Sequence, residues 1–275
     1  MNPRAIAAWS LAALAIAVST NNPVYRAVVA LCALNLILAR GRPGLRLRPL
    51  LVTVAVAAAI ATVVSLLLSH TGTHRFIEVP GDVPLIGGAI TLESLVFGLV
   101  TGLGIAAALL AVAPLTLVAD PYDLVDALPP FLARTGAAIG TALNLIPTMA
   151  RSAADIRDAQ RLRGWRPRRV RDWPDVAVPV VLTAVESSIT LAEAMEARGW
   201  GSGPRTHYLT APRWWFDVAV AVSALLAAAA FLALRASGAV PDWYPFPVIP
   251  PLPVNPAALA CCLVLILPSL GPDTR

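Results

Sequence analysis

Long apolar runs separated by short polar segments divide this sequence. A helix needs roughly 20 residues to cross about 30 Å of hydrocarbon, and shorter or longer runs can be accommodated. Six runs approach or exceed that length: Ala5–Ser19, Val24–Ala39, Pro49–Ser69, Ala89–Val118, Trp214–Leu234 and Pro256–Leu270. The pattern predicts an all-α polytopic membrane protein with about six transmembrane helices.

The fourth run is longer than a bilayer requires. At 1.5 Å per residue, Ala89–Val118 would extend about 45 Å as one helix, so it must tilt, bend or project. Pro114 is the expected position of a bend. Gly98 and Gly102 offer a face on which another helix can approach closely, although such a pair also arises by chance in a segment rich in glycine and alanine.

The distribution of arginine predicts the orientation in the membrane. Between the second and third runs, Arg40–Arg48 carries four arginines, which places this loop in the cytoplasm. The loop His70–Gly88 carries one arginine beside two acids and is therefore expected outside. Six crossings then leave both termini in the cytoplasm. The first run lacks a small-residue cleavage site, so we expect no cleaved leader there.

One polar stretch of domain size, Asp120–Pro212, interrupts the apolar pattern. We therefore predict three parts: four membrane helices in residues 1–118, a cytoplasmic domain in 119–212, and two membrane helices in 213–275. The apolar pieces Gly136–Ala150 and Val176–Leu191 are short for spanning and resemble amphipathic helices at the cytoplasmic interface. A layout with eight spans, in which these two pieces cross the membrane, remains an alternative.

Composition narrows the function. The 275 residues are 57% hydrophobic and 13% charged, against roughly 25% charged in soluble domains, which excludes one large globular domain in water. All 21 basic residues are arginine. Without lysine the chain lacks the residue that phosphate-binding loops, protein kinases and pyridoxal-phosphate enzymes require, so any ATP hydrolysis belongs to another chain. The three cysteines have no metal-ligand spacing.

The cytoplasmic stretch contains one sequence pattern twice. Asp158–Trp165 and Glu193–Trp200 both read acid-Ala-x-x-x-Arg-Gly-Trp, with Arg163 and Arg198 standing 35 positions apart. A single copy is explained as a helix cap, with glycine in the left-handed conformation and tryptophan folding back on the last turn.

Two copies suggest a docking element in addition. Each copy ends a helix that we expect to start near a proline, Pro147 or Pro179. Small residues would make one face of each helix thin enough to enter a groove on a partner. Arginine suits a bidentate contact with a partner's carboxylate. The predicted docking residues are Ala159, Arg161, Arg163, Gly164, Ala194, Glu196, Ala197, Arg198 and Gly199.

The doubled Arg-Gly pattern resembles the transmembrane T component of energy-coupling-factor transporters, a family that includes the permease of cobalt importers. Glu193–Gly201 is similar to the family's second Ala-Arg-Gly motif, whereas the first copy departs from it because Leu162 replaces an alanine. Asp120–Leu124 and Leu145–Pro147 resemble the family's turn out of the membrane and the opening of its first coupling helix.

The resemblance implies a bacterial or archaeal membrane importer of a vitamin or a transition metal. Two ABC ATPase subunits would hydrolyse ATP, a small substrate-binding membrane subunit would recognise the cargo, and this chain would couple them through two long cytoplasmic helices. On that interpretation the chain has no catalytic residue, no cofactor and no metal ligand of its own, and it does not bind nucleic acid.

Two other functions compete with this interpretation. Asp120, Asp123 and Asp126 stand at three-residue spacing and could hold Mg²⁺ in a membrane transferase, although acids at a helix N-terminus are also favoured by the helix dipole. A stand-alone secondary transporter would need ionisable groups at mid-membrane, and Asn35 is the only strongly polar side chain well inside the apolar runs. His70 and His74 lie four apart, but they fall in a loop without an evident third ligand.

Overall fold

The computed structural model describes residues 2–41, 47–69, 75–79, 88–119, 124–125, 132–166, 173–200 and 214–271. Helices account for most of this part, in the order α1 (Pro3–Ser19), α2 (Pro23–Arg40), α3 (Leu47–Leu68), α4 (Leu92–Val112), α5 (Pro114–Leu117), α6 (Ala133–Leu162), α7 (Pro174–Ala197), α8 (Trp214–Ala236), α9 (Pro256–Val264) and α10 (Leu267–Leu270). The chain forms two compact units, residues 1–124 with 211–275, and residues 125–210.

The prediction of an all-α polytopic membrane protein is confirmed. Five helices in the described part of the chain are long and apolar enough to cross a membrane: Pro23–Arg40, Leu47–Leu68, Leu92–Leu117, Pro174–Ala197 and Trp215–Ala236. Helix α1 is apolar but has only 17 residues. One of these five helices is α7, so the expectation that the segment Val176–Leu191 is too short to span a membrane is wrong. The helix extends beyond the apolar core at both ends, from Pro174 to Ala197.

The glycine pair of the fourth run is a genuine packing face. Helix α3 lies against α4, and a Cβ atom added to Gly98 would come within 2.7 Å of the Thr62 carbonyl oxygen. One added to Gly102 would come within 2.7 Å of the Ala58 carbonyl oxygen. The Thr62 hydroxyl donates to the carbonyl of Gly98 at 3.1 Å. Both glycines are therefore needed for this close approach of the two backbones.

The fourth run is not one continuous helix, because it begins as a strand and is interrupted near its end. Gly88–Thr91 forms strand β2, which pairs antiparallel with β1, Arg75–Val79, in a segment expected to be an irregular loop. The Thr91 side chain caps α4 by accepting from the Ser94 N–H at 3.2 Å. At the other end the helix is interrupted at Ala113, immediately before Pro114, where the sequence predicts a bend.

The core of the first unit forms where α1, α2 and α8 meet. Trp9, Tyr25 and Phe231 are each fully buried. The rings of Tyr25 and Phe231 meet edge to face, with centroids 5.4 Å apart, and such pairs add about 0.5–1.5 kcal/mol beyond the area they bury. Because lipid tails are as apolar as these side chains, the core stabilises the helix association through close van der Waals packing.

The last apolar run is not the continuous helix that the sequence predicts. It consists of α9 and α10, separated at Leu265 and Ile266, and neither piece is long enough to cross a bilayer alone. Proline at position 268 cannot donate a backbone hydrogen bond, which disfavours a continuous helix. The Leu265 carbonyl instead accepts from Trp9 Nε1 at 2.9 Å.

This broken segment nevertheless follows the whole length of α2. At its start the Asn255 N–H donates to the Tyr25 hydroxyl at 2.8 Å, in the first turn of α2. At its end the Gly271 carbonyl accepts from Arg40 Nη2 at 2.7 Å, in the last turn of α2. The segment therefore runs from one end of a membrane helix to the other with a break on the way.

Candidate functional site

The first Arg-Gly sequence ends α6 in a complete Schellman motif. Gly164 has a φ of +87°, the left-handed conformation that glycine adopts without a Cβ penalty. Its N–H donates to the Arg161 carbonyl at 3.0 Å, and the Trp165 N–H donates to the Gln160 carbonyl at 3.0 Å. These two bonds satisfy carbonyls that the end of a helix leaves without intrahelical partners.

The second sequence ends α7 with the same geometry. Gly199 has a φ of +73° and its N–H donates to the Glu196 carbonyl at 2.9 Å. The Trp200 N–H donates to the Met195 carbonyl at 3.0 Å. The prediction that both glycines occupy left-handed capping positions is confirmed, and the two helix ends share one backbone conformation.

The starts of the two helices differ from the prediction. Pro147 lies inside α6, which begins at Ala133, and Pro179 lies inside α7, which begins at Pro174. A proline inside a helix removes one backbone hydrogen bond, but it need not end the helix when the residues on both sides remain helical. Helices α6 and α7 are therefore 30 and 24 residues long, with prolines in their interiors.

Pro179 has a consequence for the first helix end. Since it has no N–H, the carbonyl four residues earlier, that of Asp175, receives no helical bond from it. That carbonyl accepts from Gln160 Nε2 at 3.1 Å. The Asp175 carboxylate also accepts, from Trp165 Nε1 at 3.1 Å. Sequence reasoning expected Trp165 to fold back on its own helix, whereas its indole N–H joins the end of α6 to the start of α7.

The second helix end lacks such a tether within the described residues. The Trp200 side chain is 57% exposed, and none of its hydrogen bonds there involves the indole nitrogen. Beyond Trp200 the described chain resumes at Trp214. Within the described residues, the two ends therefore share a backbone motif and differ in their side-chain attachments.

All nine predicted docking residues are exposed to solvent in the second unit. Arg161 lies 3.5 Å from Asp158, an exposed pair of the kind that contributes about 0–1 kcal/mol. Arg163 and Arg198 make no ion pair with any described residue. Leu162, next to Arg163, is 91% exposed, so its bulk projects from the surface at the first end.

An apolar stripe runs along α7 toward the second Arg-Gly end. Val178, Val181, Leu182, Val185 and Ile189 are each more than half exposed. A shallow groove on the same helix is lined by Val181, Ala184, Val185, Ser188, Ile189 and Ala192. The stripe consists of residues that are ordinarily buried, which is typical of a surface covered by protein or lipid.

The other candidate sites of the sequence lie outside the described residues. These are the acids Asp120, Asp123 and Asp126 and the histidines His70 and His74. Among the residues that the structure does describe, no group of three or more histidine, cysteine or acidic side chains is arranged to hold a metal ion.

Comparison with known proteins identifies the family. The family model described as CbiQ, cobalt transport protein, matches residues 1–208, which include both Arg-Gly helix ends. No curated protein matches the chain.

Proposed function

Since this chain belongs to the CbiQ cobalt transport protein family, we propose that it is the transmembrane coupling subunit of an energy-coupling-factor importer. It is a multi-pass membrane protein and a transport component. In the proposed assembly, two ABC ATPase subunits bind the Arg-Gly ends of α6 and α7. A small membrane subunit binds the cargo, and the two helices transmit the motion of the ATPases to it.

The observation that carries this proposal is the pair of matching, exposed Arg-Gly helix ends. A cap needs glycine and backbone groups only, and it needs no arginine. Arg163 and Arg198 follow their last helical residues and are exposed without a carboxylate partner in the described chain. A guanidinium held at a fixed helix end is well placed for a bidentate contact with an acid on a partner.

The chain's own chemistry supports leaving ATP hydrolysis to the partners. It has no lysine for a phosphate-binding loop, so any ATP hydrolysis would belong to another subunit. The family description favours cobalt as the cargo. We place recognition of the cargo, whether a metal ion or a vitamin, in the small membrane subunit.

One contact and one short turn support the proposed orientation, in which both termini are cytoplasmic. Arg40, at the start of the arginine-rich loop, binds the Gly271 carbonyl, so the end of α10 lies level with that loop. Helix α1 is joined to α2 by a short turn at Asn22, so its start lies toward the same end. Cysteine substitution at Thr73 and Ser202, in a background without native cysteines, tests the orientation. Impermeant labelling from outside should reach Thr73→Cys and spare Ser202→Cys, and the reverse pattern would overturn it.

The central experiment separates docking from capping. Tagged full-length chain is expressed with its two ATPases and the substrate-binding subunit, and co-purification, melting temperature and cobalt uptake are measured. Arg163→Ala combined with Arg198→Ala should leave the melting temperature nearly unchanged, because an exposed helix-dipole contact contributes only about 0.3–1 kcal/mol. The same double variant should lose the ATPases and uptake together.

A matched control is Arg157→Ala, which removes an exposed arginine of α6 outside the Arg-Gly sequence. This control should assemble and transport normally. Normal assembly and uptake in the double variant would reduce both motifs to helix caps and refute the proposal.

A further inference from the structure

A cleft opens in the first compact unit near the turn between α1 and α2. Its walls come from the end of α1, from one face of α4 and from Trp243, in the segment that follows α8. Most of the lining is apolar, including Ala17, Ile105 and Ala108, while Arg26 supplies a cation. We call this the Arg26 cleft, and neither the coupling role nor the family assignment accounts for it.

Arg26 is held in place by neighbouring polar groups. Its Nη1 donates to the Val100 carbonyl of α4 at 2.9 Å, and its Nη2 donates to the Asn21 side-chain oxygen at 2.8 Å. Gly104 makes room for it, since a Cβ atom added there would come within 2.7 Å of the Arg26 Cζ atom. The guanidinium is therefore fixed against α4 before any ligand binds.

The positive charge of Arg26 is not neutralised by a contact in the described chain. No carboxylate there lies within ion-pair distance. The charge of Asp242 acts on Arg26 from farther away, but Asp242 is itself in direct contact with Arg235 at 2.8 Å. Its buried Nε also has no hydrogen-bond partner among the described residues. Each Nη nitrogen carries two hydrogens, and the bonds above use one of each. A cation in an apolar cleft of a membrane protein is costly unless an anion accompanies it.

We propose that the Arg26 cleft binds the headgroup of an anionic phospholipid, in which the negative charge of the phosphate is not offset by a headgroup cation as it is in phosphatidylcholine. Arginine recognises phosphate oxygens with its paired N–H groups, and a lipid supplies this group at the ends of membrane helices. The apolar walls fit the beginning of an acyl chain, which a free phosphate ion lacks. The cleft would then anchor one lipid between α1 and α4, independently of the proposed coupling role.

The test uses the purified full-length chain in a neutral detergent. Palmitoyl-oleoyl phosphatidylglycerol and the matching phosphatidylcholine are added at equal mole fractions, and bound lipid is counted by native mass spectrometry alongside the melting temperature. The wild-type protein should retain more phosphatidylglycerol than phosphatidylcholine. Arg26→Gln should weaken that binding about tenfold, the loss expected for one charge-assisted hydrogen bond.

Two further variants keep the result interpretable. Arg48→Gln removes an exposed arginine from α3 and changes the net charge by the same amount as Arg26→Gln. It should retain the preference for phosphatidylglycerol. Ala108→Leu fills part of the cleft and keeps the arginine, and it should lower phosphatidylglycerol binding even if Arg26→Gln fails to fold. The preference is measured within each variant, so a general loss of stability cancels.

Three results of the lipid measurements would overturn the assignment. They are equal retention of the two lipids by wild type, an equal loss in Arg26→Gln and Arg48→Gln, and unchanged phosphatidylglycerol binding in Ala108→Leu. Inorganic phosphate is added as a separate arm. Stabilisation by it equal to that by phosphatidylglycerol would mean that the site takes a free anion and not a lipid.

Discussion

The ends of α6 and α7 have the same backbone and different surroundings. Both close with two hydrogen bonds around a left-handed glycine, Gly164 or Gly199. Only the first end is tied to the other helix in the described chain, because Gln160 and Trp165 both donate to Asp175. The comparison teaches that a helix cap is set by half a dozen consecutive residues, whereas its attachment depends on a residue elsewhere in the chain.

The largest expected difference concerns the two arginines. If Arg198 pairs with an ATPase carboxylate in a desolvated contact, Arg198→Ala should cost about 2–5 kcal/mol of binding. Arg163→Ala should cost less, because the exposed Leu162 side chain stands beside it and hinders close contact. Titration of purified ATPases onto each variant measures both losses. Equal losses would remove the distinction between the ends.

The second-largest expected effect is the loss of stability when a capping glycine is replaced, and this loss should be the same at the two ends. Gly164→Ala and Gly199→Ala should each cost about 1–2 kcal/mol because alanine is strained at positive φ. At Gly164 an added Cβ would meet no atom within 4 Å, so the cost would come from the backbone alone. Gly140→Ala, inside α6, is the control and should be stabilising by about 0.5–1 kcal/mol. Thermal unfolding of the three variants tests this order.

A smaller effect, the loss of the hydrogen bond between Trp165 and Asp175, should distinguish the first helix end from the second. Asp175→Ala removes the acceptor of the Trp165 indole N–H, a hydrogen bond whose net contribution is about 0.5–1.5 kcal/mol. Hydrogen exchange should speed up at Trp165 and stay unchanged at Trp200. Asp175→Asn retains an acceptor oxygen and should behave like wild type. Faster exchange at both tryptophans would show that the ends are not independent.

The smallest effect is expected at the residue before each arginine. Leu162→Ala should hardly change stability, within about 0.5 kcal/mol, because the side chain is 91% exposed. It should strengthen ATPase binding at the first end by thinning the surface there. Ala197→Leu is the reciprocal change and should weaken the second end. Identical ATPase titration curves for wild type and both variants would contradict a role for these positions.

Sequence reasoning predicted the two glycine-capped helix ends and missed the side chains that support them. The doubled Arg-Gly pattern identified both capping glycines, since the Schellman motif is local. It missed Asp175, which could have been suspected only from the proline four residues later. Pro147 and Pro179 were expected at helix starts and lie inside the helices, because proline weakens a helix locally while its neighbours decide whether the helix continues.

The sequence by itself determined the fold class, most of the long membrane helices and the family, because apolar runs of bilayer length and a doubled local motif need no knowledge of distant contacts. The tertiary structure decided how those helices fit together. Gly98 and Gly102 became a packing face only when Thr62 lay against them. The last run became two short helices beside α2, with the Leu265 carbonyl bound to Trp9. Such outcomes depend on residues far apart in the chain, whose meeting no local pattern encodes.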